Sequence, residues 1–272
     1  MKSMLGIMIP VAIVAPILSA NSMSTATGAP PLVTTCADAQ SLGGRCPDII
    51  EEIPEHLSIQ NQQQHEFLRF STTHWNFGDG PLQIRGGGQV APCVIDGVSY
   101  DQCTVATQEI LDDHGNVVAR HPAGVAFFHP EHNHWHQSSV ASFAIRQTLT
   151  GPPVNNALGF KTTFCLVDYD KSDWIHANST RVYFECNGGF QGISLGWGDE
   201  YHHSTEGQDL EVTGLPSGIY YLTQDADPDQ HWLETIEVNN RSYVKFALTR
   251  KGANPEITIL ETYGYAGNTS NK

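Results

Sequence analysis

The sequence is poor in positive charge and in long apolar segments, and both shortages exclude classes of partner. It has only 14 Lys and Arg residues against 29 Asp and Glu residues, which gives a formal net charge of −15. A surface of this sign repels nucleic acid and attracts cations, so we expect no nucleic-acid partner. Beyond residue 20, no segment approaches the roughly 20 apolar residues that a membrane-spanning helix needs. We therefore expect no membrane association once the N-terminal leader is removed.

That leader has the three parts of a secretory signal peptide. Lys2 supplies the positive start, residues 4–18 are mostly apolar, and Leu18-Ser19-Ala20 ends in small residues suited to cleavage. The apolar stretch is short for a membrane span, which favours a cleaved leader over a retained anchor. We predict a secreted, extracellular protein.

The chain also lacks the CxxC spacing of structural zinc sites and the HExxH motif of many zinc hydrolases. Its six cysteines are an even number, which in a secreted chain indicates disulfides. Six cysteines allow about 15 pairings, and spacing alone does not decide among them. The simplest prediction joins neighbours in sequence: Cys36–Cys46, Cys93–Cys103 and Cys165–Cys186.

Helical periodicity is not sustained anywhere, whereas short strand-like segments alternate with Gly- and Pro-rich breaks. The turn signals at Asp96-Gly97 and at residues 113–116 predict two β-hairpins. This pattern favours an all-β, sandwich-like fold with long loops and few or no helices. Later strands are predicted at 139–149, 160–168, 181–186, 219–225, 242–249 and 255–262.

The most specific motif is His132-Asn133-His134-Trp135-His136. Every second side chain of a β-strand lies on the same face, so a strand here would align three imidazoles. Imidazole binds both copper and zinc, and by ligand type alone the two metals remain equal candidates. A histidine-rich surface strand is the alternative interpretation. His129 is left out of the predicted ligands, because Pro130 interrupts the strand.

Around this motif, residues 68–248 resemble the catalytic domain of lysyl oxidases, copper amine oxidases that carry a lysine tyrosylquinone. Five pieces of the chain occur in the order that this family has. They are 68–70 with 78–82, 132–136, 159–168, 191–201, and 218–222 with Glu234, Asn239 and Asn240. The resemblance covers roughly two-thirds of the chain.

The resemblance implies a role for each matched residue. His132, His134 and His136 would bind copper, and Lys161 and Tyr201 would be the precursors of the cross-linked quinone. The implied enzyme is a protein-lysine 6-oxidase-like copper amine oxidase. It would convert primary amines to aldehydes, with dioxygen as co-substrate and release of ammonia and hydrogen peroxide. A quinone built from tyrosine requires a redox metal, which favours copper over zinc.

The match has one departure that bears on the mechanism. Phe143 stands where the animal enzymes have a further histidine, so no residue obviously serves as the general base. The remaining candidates are His202, His203, Asp199 and Glu200. The alternative interpretation is that Lys161 is an ordinary strand lysine and Tyr201 a packed aromatic side chain. The alternative function is a non-catalytic, secreted copper- or zinc-binding β-sandwich.

The implied partner is a primary amine, either a small molecule or a lysine side chain of an extracellular protein. The predicted organisation has four parts. They are a signal peptide at 1–20, a flexible, disulfide-stapled segment at 21–60, a lysyl-oxidase-like catalytic domain at 61–262, and a C-terminal tail at 263–272.

Overall fold

The computed structural model describes residues 28–159, 163–173, 180–251 and 254–267. The signal peptide predicted at 1–20 and the candidate Lys161 lie outside the described residues. Within them the helical content is α1 (Cys36–Ser41), which begins after Thr35, whose hydroxyl accepts a hydrogen bond from the Asp38 amide. This part of the chain contains no helix with the length and hydropathy of a membrane span. Strands dominate the rest, and the prediction of an all-β fold is confirmed.

The strands form three antiparallel sheets. The first contains β1 (Ile49–Glu51), β2 (Glu55–Gln62), β3 (His65–Asn76), β10 (Asp170–Lys171), β12 (Trp197–Tyr201) and β13 (Asp209–Glu211). The second contains β4 (Leu82–Ile95), β5 (Val98–Leu111), β6 (Val117–His129), β7 (His134–Gln137) and β11 (Phe190–Ile193). The third contains β8 (Ala141–Arg146), β9 (Pro153–Gly159), β14 (Gly218–Ala226), β15 (Arg241–Lys251) and β16 (Asn254–Tyr263).

One hydrophobic core joins the three sheets. Each sheet contributes fully buried side chains to it, among them Phe70 from the first, Ile84 from the second, and Phe143 and Phe246 from the third. Burying a side chain of this size stabilises a fold by about 1.5–3 kcal/mol. The third sheet runs in the order β16-β15-β14-β8-β9, and the histidine-bearing β7 lies at one edge of the second sheet.

Local sequence signals predicted the hairpins and disulfides correctly. Asp96 and Gly97 connect β4 to β5 with φ of 51° and 82°, the positive values that a two-residue hairpin turn requires. Asp112 begins the next hairpin turn, where its carboxylate accepts hydrogen bonds from two backbone amides. All three predicted disulfides are present, Cys36–Cys46, Cys93–Cys103 and Cys165–Cys186.

Two predicted strands are wrong. Residues 181–186 form no strand, because the Val182 and Tyr183 amides donate to the Asp168 carboxylate instead of to a neighbouring strand. In the predicted strand at 160–168, residues 160–162 lie outside the described residues, and residues 163–168 contain only an isolated bridge between Phe164 and Gln137. Residues 49–51 and 55–60, which we assigned to the N-terminal segment, belong to β1 and β2 and pair with β3.

Candidate metal centre and active site

The histidine motif forms a turn followed by a strand. β6 ends at His129, directly before Pro130, and β7 begins at His134. Asn133 adopts a φ of 56°, the left-handed conformation that Asn tolerates, and its amide donates to the His129 carbonyl at 2.8 Å. His132 therefore lies in the turn, so the prediction of one strand that carries all three histidines is wrong. His134 and His136 do share one face of β7.

The turn nevertheless brings the three imidazoles together. His136 Nε2 lies 3.0 Å from His134 Nε2 and 3.1 Å from His132 Nδ1. One nitrogen from each residue lies within 4.8 Å of the other two. Imidazoles that share a copper- or zinc-sized ion, at about 2.0–2.1 Å from each nitrogen, have their nitrogens at comparable separations. The donor chemistry and the spacing both fit a single metal ion.

Two further residues support this cluster. The Thr163 hydroxyl lies 3.2 Å from His136 Nδ1, the ring nitrogen that does not face the other histidines. Such a contact fixes the orientation of an imidazole ligand. His129 stacks on the cluster, with its ring centroid 4.1 Å from that of His132 and 4.8 Å from that of His136. Neither contact is predicted from the sequence, although a hairpin centred on Pro130 would place His129 beside the motif.

Tyr201, on β12, lines the same cavity of about 430 Å³ as the three histidines. Its hydroxyl donates to the Cys165 carbonyl at 3.1 Å, and its ring centroid lies 4.0 Å from that of Phe164. Burial and the nearby Asp199 carboxylate raise the pKa of Tyr201 well above its usual value, so the phenol keeps its proton at neutral pH. Lys161, the other candidate precursor, lies outside the described residues.

Carboxylates dominate the charged lining of this cavity. Asp199, Glu200 and Glu206 line it, and none of its described lining residues is Lys or Arg. Burial raises the pKa of Glu200, and the neighbouring Asp170 raises it further. A cleft of one sign concentrates ligands of the opposite sign, so the cavity favours cations such as alkylammonium groups.

The other candidate bases lie elsewhere. His202 and His203 do not line the cavity, and their ring centroids lie 3.9 Å apart. Both rings face His56, at 6.0 and 5.1 Å. Phe143 is buried and packs edge-on against Phe70 at 5.3 Å. The position where the animal enzymes have a histidine is therefore part of the hydrophobic core.

The Cys165–Cys186 disulfide connects a residue bonded to the histidine strand with a residue bonded to Tyr201. The Cys186 carbonyl accepts a hydrogen bond from the Trp135 amide at 2.9 Å. Trp135 lies between the candidate ligands His134 and His136 in the sequence. The Cys165 carbonyl accepts the Tyr201 hydroxyl. Asp168, three residues later, is buried and accepts hydrogen bonds from the Ser194 amide and hydroxyl. Its carboxylate therefore connects these loops by satisfying backbone amides.

Comparison with known proteins gives a consistent result. The family model described as lysyl oxidase matches residues 98–256, a range that includes the histidine motif and Tyr201. Lysyl oxidase homolog 2 of Xenopus laevis is 32% identical over 113 residues, which is 42% of this chain and 14% of that protein. Lysyl oxidase homolog 2 of Homo sapiens is 32% identical over 114 residues, with the same shares covered.

Lysyl oxidase homolog 3A of Danio rerio is 30% identical over 113 residues, again 42% of this chain and 14% of that protein. The alignments thus span about one-seventh of the length of these curated relatives. The similarity is confined to one portion of each relative.

Proposed function

The chain belongs to the lysyl oxidase family, and from this premise we propose that it is a secreted, copper-dependent amine oxidase. The observation that carries the proposal is the cavity that three convergent imidazoles share with Tyr201. His132, His134 and His136 would hold copper, and Tyr201 would be joined to Lys161 in a lysine tyrosylquinone. When bound, these groups would supply the redox chemistry that moves two electrons from an amine to dioxygen.

The proposed reaction takes a primary amine, dioxygen and water to an aldehyde, ammonia and hydrogen peroxide. The residues around the cavity suit this substrate class. Asp199, Glu200 and Glu206 attract the alkylammonium group. Phe164 and Val167 provide apolar surface for its methylene carbons. At about 430 Å³, the cavity has room for a small amine or for one lysine side chain.

Two features of the chain support secretion. The N-terminal leader has the composition of a signal peptide. Three disulfides pair all six cysteines, which is typical of proteins that fold in an oxidising compartment. Lysine side chains of extracellular proteins are therefore accessible substrates, along with small amines.

Cofactor formation is tested by mass spectrometry. The protein is loaded with copper under air and digested, and the digest is searched for a peptide that joins Lys161 to Tyr201. We expect this peptide in the wild type and not in Tyr201→Phe. Tyr169→Phe is the matched control, because Tyr169 lines the same cavity but is not a proposed precursor. We expect the cross-link to survive in this variant.

Turnover is tested on the same samples by amine-dependent release of hydrogen peroxide. Wild type and Tyr169→Phe should release peroxide, and Tyr201→Phe should not. Separate Lys161 and Tyr201 peptides from the copper-loaded, aerated wild type would overturn the enzymatic proposal. With copper still bound, that result would favour a non-catalytic metal-binding protein.

A further inference from the structure

Three ionisable side chains form a row across the first sheet. Glu51 on β1 is paired directly with His74 on β3, and Asp199 on β12 is paired with His74 from the other side. Directly paired residues of antiparallel strands project from the same face. The row therefore reads carboxylate, imidazole, carboxylate, and it ends at Asp199 in the cavity wall.

The contacts within the row are well defined. His74 Nδ1 lies 2.6 Å from Glu51 Oε1, and the two side chains are 1% and 0% exposed. His74 Nε2 is also buried, and no described residue forms a hydrogen bond with it. The His74 ring centroid is 6.4 Å from that of Tyr201 and 5.7 Å from that of Phe164.

The charges around His74 favour a proton on this imidazole. Burial alone would lower the pKa of His74, but Glu51 and Asp199 outweigh it, and the pKa is raised. Burial raises the pKa of Glu51 as well, so both groups of the pair hold a proton more strongly than at their ordinary pKa values. The titratable groups that face His74 are Glu51 from β1, and Asp199 and Tyr201 from β12.

We infer that His74, held by Glu51, is a positioning residue that keeps Asp199 ionised beside Tyr201, so that Asp199 can take a proton from the incoming substrate. An alkylammonium would lose one N–H bond as Asp199 gains one O–H bond, with no transfer of electrons. The product is a neutral amine with a free lone pair. The inference rests on the proposed function, and it names the acid–base group that Phe143 leaves open.

The electrostatic part can be tested on the metal-free protein. Histidine-selective ¹⁵N NMR would follow the protonation of each imidazole with pH, and His74→Gln would identify the His74 signal. We expect His74 to keep its proton above pH 7 in the wild type. In Asp199→Asn its midpoint should fall by about one pH unit or more, since a nearby opposite charge shifts a pKa by about 1–3 units. An unchanged midpoint in Asp199→Asn would overturn the inference.

The functional part is tested by the pH profile of kcat/KM for amine-dependent peroxide release. Without the imidazolium, the ionised Asp199 carboxylate is disfavoured. His74→Gln should therefore move the acid limb of the profile to higher pH by about one unit, an approximately tenfold loss along that limb, and retain activity at high pH. A uniform loss at every pH would indicate a purely structural role and would refute the inference.

The two readouts separate this inference from the proposed function. A wild type that forms no Lys161–Tyr201 cross-link contradicts the proposed function, while the NMR titration still decides whether His74 and Asp199 are coupled. His74→Gln removes a buried side chain and could fail to fold. Asp199→Asn, in the cavity wall, then provides the second variant, and its kcat/KM should follow the neutral fraction of the amine substrate, because Asn cannot accept the ammonium proton.

Discussion

Removing the Cys165–Cys186 disulfide should weaken copper binding as well as the fold, and the structure supplies a matched control. Its loop spans 21 residues, and the chain-entropy relation gives about 3.3 kcal/mol of stabilisation for that length. The Cys36–Cys46 disulfide spans 10 residues, for which the same relation gives about 2.7 kcal/mol. The double alanine variants should therefore lose similar stability. At roughly 2–4 °C per kcal/mol, each Tm should fall by roughly 5–13 °C.

The two variants should differ at the metal. The Cys165 carbonyl accepts a hydrogen bond from the Tyr201 hydroxyl, and the Cys186 carbonyl accepts one from the Trp135 amide. The Cys46 carbonyl instead accepts a hydrogen bond from the Asp79 amide, in a turn away from the metal site. In a competition titration against a chelator, C165A/C186A should bind copper about 10–100-fold more weakly, the usual penalty when a supporting contact is lost. C36A/C46A should stay within about twofold of the wild type, a limit well inside that penalty. Equal copper affinities in the two variants would refute this reasoning, whatever their Tm values.

Three further predictions test single side chains. His134→Ala should abolish copper retention and cross-link formation, measured by metal analysis and mass spectrometry, whereas His114→Ala, in an exposed hairpin turn, should change neither. Thr163→Val removes the hydroxyl that contacts His136 Nδ1 and should lower copper affinity about 10–100-fold in a chelator competition, with little change in Tm. Glu66→Gln should cost about 1–3 kcal/mol in urea unfolding at pH 7, because Arg250 binds this carboxylate through two nitrogens. Arg250 lowers the pKa of Glu66, so the stabilisation is fully present above pH 4.5, the ordinary pKa of Glu, and is lost as the pH falls through the folded-state pKa. A penalty that persists at pH 3 would contradict this account.

The sequence was most informative where the signal is local. Asp96-Gly97 predicts a tight hairpin because both positions tolerate positive φ, and the chain turns there. The disulfides join cysteines only 10 to 21 residues apart, so pairing neighbours in sequence was sufficient. The alternation of three histidines indicated a metal site without any knowledge of the sheets.

Local patterns were less reliable where a strand begins or ends. The period-two rule assigns side chains to a face only within a strand, and Pro130 with Asn133 places His132 before β7 begins. The three imidazoles still converge, because the turn bends the chain back over the strand. The three histidines therefore lie together, although the single strand from which this was predicted is wrong.

The sequence predicted the all-β class, the pairing of neighbouring cysteines, the family resemblance and the candidate residues for the proposed chemistry. Each of these depends on residue type and short-range spacing. Tertiary structure alone decided that β1, β3 and β12 lie side by side, which aligns Glu51, His74 and Asp199. Strand pairing depends on packing between distant segments, and no spacing within one strand encodes it. For the same reason, only the folded chain places Tyr201 on the cavity that the three histidines line.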